Sequence, residues 1–254
     1  MASEVLETTA PTFIWSKFRL FCYSFVIGSI HLAVSVAALI ADAIYHVLTD
    51  HQFTFMSWIE HVESDPVALC VSSIASGVIG VLVIRWLVGR HEASPWRFLG
   101  IRSCSGKSIL LGCVVMAAME LASLLLASFL ERPDEETWIK VFQNANSIVS
   151  YGLLFITMVV AAPVGEELFF RGFLLNGLRS GGKSTWFAVT FVSLAFAAVH
   201  LHYDLYDMTT LFIMAVVLAM VRIRTESIVP CIAMHALWNL VGFILLAWSK
   251  EVPN

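Results

Sequence analysis

Long apolar runs separated by short polar stretches make up almost the whole chain. A helix needs about 17 to 25 apolar residues to cross the hydrocarbon core. On that measure the runs predict seven spans, at about 20–44, 66–89, 108–130, 148–178, 184–202, 207–224 and 227–248. The fourth run is too long for one straight crossing and contains Pro163 and Gly165. Three readings stay open for it: a kink, an extension beyond the membrane, or two shorter pieces that add an eighth helical element. The pattern predicts an all-α protein, a polytopic transmembrane helical bundle of about seven to eight membrane helices.

Composition agrees with the pattern. Of 254 residues, 59% are hydrophobic and 13% charged, where soluble domains carry about 25% charged residues. A net charge of −4 with no long basic run gives no footing for nucleic acid. The five cysteines lack CxxC spacing, so neither a disulfide framework nor a zinc–thiolate site is indicated. The acidic N-terminus has no basic n-region, and the first apolar run is too long for a signal-peptide core, so it reads as a retained first helix.

The linkers differ in charge. Lys17 and Arg19 precede span one; Arg90, Arg97, Arg102 and Lys107 follow span two; Arg179 and Lys183 follow span four; Arg222 and Arg224 follow span six. With seven spans all these groups share one face, while acidic and aromatic residues fill the other. The positive-inside bias then predicts an N-terminus inside and a multi-pass protein of the cell membrane. The stretch HEASPWRFLGIRSCSGKS, from 91 to 108, reads as a cytoplasmic connector.

Ionisable groups within spans cost about 2.5 to 3.5 kcal/mol each on insertion scales, so each calls for a partner or a function. They are His31 and Asp42 in span one, Glu120 in span three, Glu166, Glu167 and Arg171 in span four, His200 in span five, and His235 with the polar Asn239 in span seven. His31, Asp42 and Glu120 read as structural groups, Asp42 as one near a helix end. The stripe Phe169, Phe170 and Phe173 reads as helix packing.

Glu167 and Arg171 lie four apart with the acid first, the better order for an ion pair on one helix face. Glu166 is about 100° further round the helix and faces something else. A carboxylate buried among apolar groups is driven towards protonation, which is also how a general base is poised near neutrality. Glu166 stands seventeen residues before Lys183 in the SGGKS turn and His200 seventeen after it. In an antiparallel hairpin both then reach a similar depth, roughly 25 Å from the turn. His235 and Asn239 share a face of span seven, roughly 15 to 21 Å from the preceding turn. One carboxylate, two imidazoles and a carboxamide are thereby predicted to converge from three helices.

These three clusters resemble a known pattern. EELFFR at 166–171, FAAVH at 196–200 and HALWN at 235–239 are similar to the EExxxR, FxxxH and HxxxN motifs of the CPBP (CAAX protease and bacteriocin-processing) family of intramembrane proteases. They occur in the family's order, within a family-like core over 95–248 that follows N-terminal membrane helices over 1–94. The resemblance implies peptide-bond hydrolysis. Glu166 would activate water with help from His200, His235 and Asn239 would hold the oxyanion or position the water, and Glu167 with Arg171 would support the site. Partners would be membrane lipid and a peptide or protein substrate with a membrane-associated segment. No cofactor is firmly implied. Glu166, His200 and His235 are acceptable Zn²⁺ ligands, yet the compact HExxH signature is absent, so metal-dependent and metal-independent glutamate mechanisms both stay open. Two other classes use the same residues: a non-catalytic membrane scaffold or regulator, and a proton or metal transporter. The hairpin depths set the constellation towards the acidic face, which sits uneasily with cytoplasmic cleavage of prenylated C-termini.

Overall fold

The computed structural model describes residues 16–49, 54–62, 64–130, 136–180, 184–201 and 203–249. Among them the regular structure is entirely helical. The turn predicted around Lys183 and the linker stretches 50–53 and 131–135 lie outside the described residues.

Among the described residues, six helices are long and apolar enough to cross a membrane: α1 (Lys17–Thr49), α3 (Pro66–Gly89), α5 (Gly106–Ala127), α7 (Ile148–Ser180), α9 (Leu205–Thr225) and α10 (Val229–Ser249). The predicted fifth span is the shorter apolar helix α8 (Thr185–Ala198). Three short helices, α2 (Phe55–Val62), α4 (Pro95–Phe98) and α6 (Glu136–Asn144), lie in stretches that the apolar pattern reads only as linkers. Both α2 and α6 are amphipathic and too short for a run-length criterion to detect.

Local sequence sets the helix starts. Asp65 Oδ1 accepts from the Val67 amide (2.7 Å), Ser147 and Ser150 form a reciprocal capping box before α7, Ser184 caps α8 and Asp204 caps α9 through the Asp207 amide (2.8 Å). Each satisfies a backbone donor that the first helical turn leaves unpaired. At the far end of α9, Glu226 adopts the left-handed conformation, φ 53°, and turns the chain towards α10.

The chain packs as two compact units, whose boundaries fall inside the long helices. The first comprises Met1–Ile27, Leu82–Gly112 and Glu166–Cys231; the second comprises Gly28–Val81, Cys113–Gly165 and Ile232–Asn254. In the first, α8 packs against the second part of α7 and against α9, around buried Phe173, Leu175, Phe196, Met214 and Leu218. In the second, α6 lays Val141 and Phe142 into a core with Cys70, Ala145 and Leu154. The Phe142 ring meets Phe243 edge-on at 5.3 Å, a favoured aromatic geometry. Large apolar side chains such as Phe21, Leu110, Leu121 and Trp248 stay exposed on the outside of the long helices, where a bilayer rather than water is the matching solvent.

The three intramembrane polar groups outside the motifs are all in the second unit, where His31 and Asp42 make local contacts. His31 Nε2 lies 3.4 Å from Ser76 Oγ, and Glu120 is buried on α5. Asp42 accepts from the Trp58 indole at 2.9 Å, tying α2 to α1. Asp42 is not at a helix end, however, because α1 continues to Thr49. The His46 side chain, one turn on, lies 3.9 Å from its carboxylate.

Candidate active site

Among the three readings left open for the fourth run, α7 is a single helix whose pitch changes. It is α-helical over Ile148–Phe155, π-helical over Ile156–Ala161, α-helical over Ala162–Glu167, π-helical over Leu168–Leu174 and α-helical again over Leu175–Ser180. The Ala162 amide donates to the Thr157 carbonyl, five residues back. In that register residue 163 would serve the Met158 carbonyl, and Pro163 has no N–H to give. Ala162, the donor that an α-helix would use for Met158, is committed to Thr157. The Met158 carbonyl is thus left over, and the Asn239 carboxamide Nδ2 donates to it at 2.8 Å. Such π segments recur at functional sites, and here two of them bracket Glu166 and Glu167.

Glu167 and Arg171 form the predicted pair. Nη1 and Oε1 are 2.8 Å apart and both side chains are 0% exposed. Arg171 Nη2 also reaches the Ala215 carbonyl at 3.3 Å, and the guanidinium sits 4.5 Å from the Phe196 ring centroid. Carboxylate, carbonyl and ring face together compensate a charge that would otherwise be costly at such burial. Gly172 lets the neighbouring connector close in, since a Cβ there would stand 2.8 Å from the Leu99 carbonyl.

Glu166, the adjacent acid, is half-buried with Oε2 enclosed. His200 corrects the predicted fifth span: α8 ends at Ala198, Val199 is its C-cap, and His200 lies in the following turn. Its amide closes a tighter bond to Ala197 O (3.0 Å). The position fixes the ring. His200 Nδ1 is 2.9 Å from the Phe196 carbonyl, which can only accept, so Nδ1 carries a proton; the tautomer with the lone pair on Nε2 is the one that this contact selects. The Phe196 ring, 4.5 Å from the Arg171 guanidinium, is also 5.1 Å from the His200 ring, centroid to centroid, so it touches both His200 and the Glu167–Arg171 pair. Tyr203 also stacks on His200, at 5.9 Å and 6°; the sequence marks it only as part of an acidic, aromatic linker.

His235 and Asn239 belong to the second unit, one turn apart on α10. His235 is buried, 3% exposed. The bond from Asn239 to Met158 uses one of its two amide N–H groups. Spacing pointed to Asn239; its link to the proline-opened carbonyl was not visible there, although a proline inside a helix was the signal to ask which carbonyl it orphans. Among the described residues, no group of three or more His, Cys, Asp or Glu side chains is placed to hold a metal ion.

Apolar helices that carry a compensated buried charge, with carboxyl and imidazole groups along them, define a class: multi-pass membrane proteins with acid–base groups in their helical segments. Residues 148–241 match the model of the type II CAAX prenyl endopeptidase Rce1-like family. An uncharacterized 24.3 kDa protein of Escherichia coli is 30% identical over 169 residues, 66% of this chain and 76% of that protein. No solved structure matches the chain. The chain belongs to the CPBP family of intramembrane proteases, through its Rce1-like region. At family level its activity is that of an endopeptidase acting within the membrane.

Proposed function

We propose that this chain hydrolyses a peptide bond in a membrane-associated protein or peptide, with Glu166 as the base that activates water. The observation that carries the reading is the division of labour between neighbouring acids. Glu167 has its charge fixed on Arg171 in full burial, while Glu166 is only half-buried, one residue away. Glu166 takes a proton from water and the hydroxide attacks the scissile carbonyl carbon. His200, with Nε2 as its lone-pair nitrogen, assists that transfer. The developing oxyanion is met by His235 and by the Asn239 N–H not used on Met158; donors held in place before the reaction are worth most in a dry site. The proton then passes to the amide nitrogen as the C–N bond breaks and the amine leaves. The orientation assigned to the chain, N-terminus inside, follows the charge bias of its linkers.

The test compares purified wild type with Glu166→Gln and His200→Ala on membrane-embedded peptide libraries, alongside proteomics of membrane and secreted peptides from cells expressing each form. Loss of general-base chemistry should lower turnover by about 10²- to 10⁴-fold, and peptides that vanish with Glu166→Gln name the substrates. Unchanged proteolysis in both variants overturns the assignment.

A further inference from the structure

The first unit buries two arginines, and they are satisfied very differently. Arg171 has a carboxylate, a carbonyl and a ring face. Arg222, in the last turn of α9 and 4% exposed, has no hydrogen-bond or ion-pair acceptor among the described residues, whereas for Arg171 only Nε is enclosed without a partner. The Val221 carbonyl accepts from Thr225 Oγ1 at 2.8 Å. Arg102, Arg179 and Glu226 lie close enough to act on Arg222 electrostatically. The one carboxylate among these groups is engaged by Arg102, Nη1 to Oε2 2.6 Å. A guanidinium cannot escape by losing its proton, so buried charge of one sign calls for an anion.

The surrounding backbone is built to hold the group in place. Gly100, at φ +83°, lies against the guanidinium; a Cβ there would stand 2.6 Å from Arg222 Nη2 and 2.7 Å from Cζ and Nε. The Gly100 carbonyl accepts from the Ile228 amide at 2.9 Å, and Ser227 Oγ donates to the Arg102 carbonyl at 2.7 Å. The connector that the sequence marked only as basic is thereby fastened along the α9–α10 turn, with Arg222 held against it. We propose that Arg222, with Arg102 and Arg179, forms a binding site for a phosphate-type anion, either an anionic phospholipid headgroup or soluble phosphate. The planar fork of arginine matches phosphate oxygens two at a time. The site lies among the residues of the basic linkers, where an anionic leaflet surface would meet it.

The experiment uses the full-length protein in nanodiscs. Thermal unfolding is followed in phosphatidylcholine discs with increasing phosphatidylglycerol, and in phosphatidylcholine discs with inorganic phosphate against chloride at equal ionic strength. Wild type should be stabilised in at least one arm, and Arg222→Gln should need about tenfold more of the same anion, the loss of one charge-assisted contact. Arg224→Gln, an exposed arginine of the same helix end, should respond as wild type. A shift with phosphatidylglycerol alone assigns the lipid headgroup, and a shift with phosphate alone assigns the soluble ion. If Arg222→Gln fails to fold, Arg179→Gln, half-buried on α7, carries the comparison. Absence of any shift in wild type, or equal responses from Arg222→Gln and Arg224→Gln, overturns the site.

Discussion

The Glu167–Arg171 pair permits a quantitative test of how this bundle tolerates charge. At 2.8 Å and full burial, the gross attraction at an effective dielectric constant near 20 is about 6 kcal/mol, most of it offset by desolvation of the two groups. Removing one partner exposes that offset. Glu167→Gln keeps an acceptor for Arg171 but removes the countercharge, so it should destabilise by about 3 kcal/mol, the low end for a broken buried pair. Arg171→Met strands the carboxylate and also loses the cation–π contact with Phe196, and should cost about 3 to 5 kcal/mol. The double variant has neither charge and a side chain of similar length in the same space, so it should lie within about 1 kcal/mol of wild type. The assay is reversible unfolding in mixed micelles titrated with denaturing detergent, with the eight tryptophans as reporters. A shift below about 1 kcal/mol for Glu167→Gln, or costs that simply add in the double variant, would refute the view that each charge is there to compensate the other.

Two further perturbations test the backbone. Asn239→Ala leaves the Met158 carbonyl unserved and should cost about 1 to 3 kcal/mol; in a Pro163→Ala background residue 163 regains an N–H for that carbonyl, and the same substitution should cost much less in the same unfolding assay. Gly100→Ala should lower stability by about 1 to 3 kcal/mol in thermal unfolding, because φ +83° is strained for alanine and the new methyl meets the Arg222 guanidinium. A neutral Gly100→Ala variant would show that the connector shifts freely and does not hold Arg222 in place.

Run length and polar punctuation were sufficient for the membrane helices, because each must carry its own apolar signal. The i, i+4 spacing was sufficient for the Glu167–Arg171 pair, since that contact is internal to one helix. Other features depend on partners far along the chain. Helix α8 stops before His200, although apolar residues continue to Leu201, so hydropathy alone carried the helix too far. The amphipathic helix α6 finds its apolar face covered only when Cys70, Tyr151 and Phe243 come together. Arg222 looked like any basic residue at a span end until Gly100, more than a hundred positions earlier, was found lying against its side chain.

The two π segments also bear on how this family member tolerates changes in length. A helix that closes its loops over five residues holds a surplus residue relative to one that closes over four. A deletion elsewhere in a long span must swing every later side chain by about 100°, whereas a deletion in a π segment can be absorbed by tightening to the α ladder. The segment at 156–161 is denied that relaxation by Pro163, whose ring would meet the Val159 carbonyl in the tighter register. The segment LFFRGFL at 168–174 contains no proline, so it is the position in α7 where the chain can shorten by one residue and leave Ser180 facing the same way.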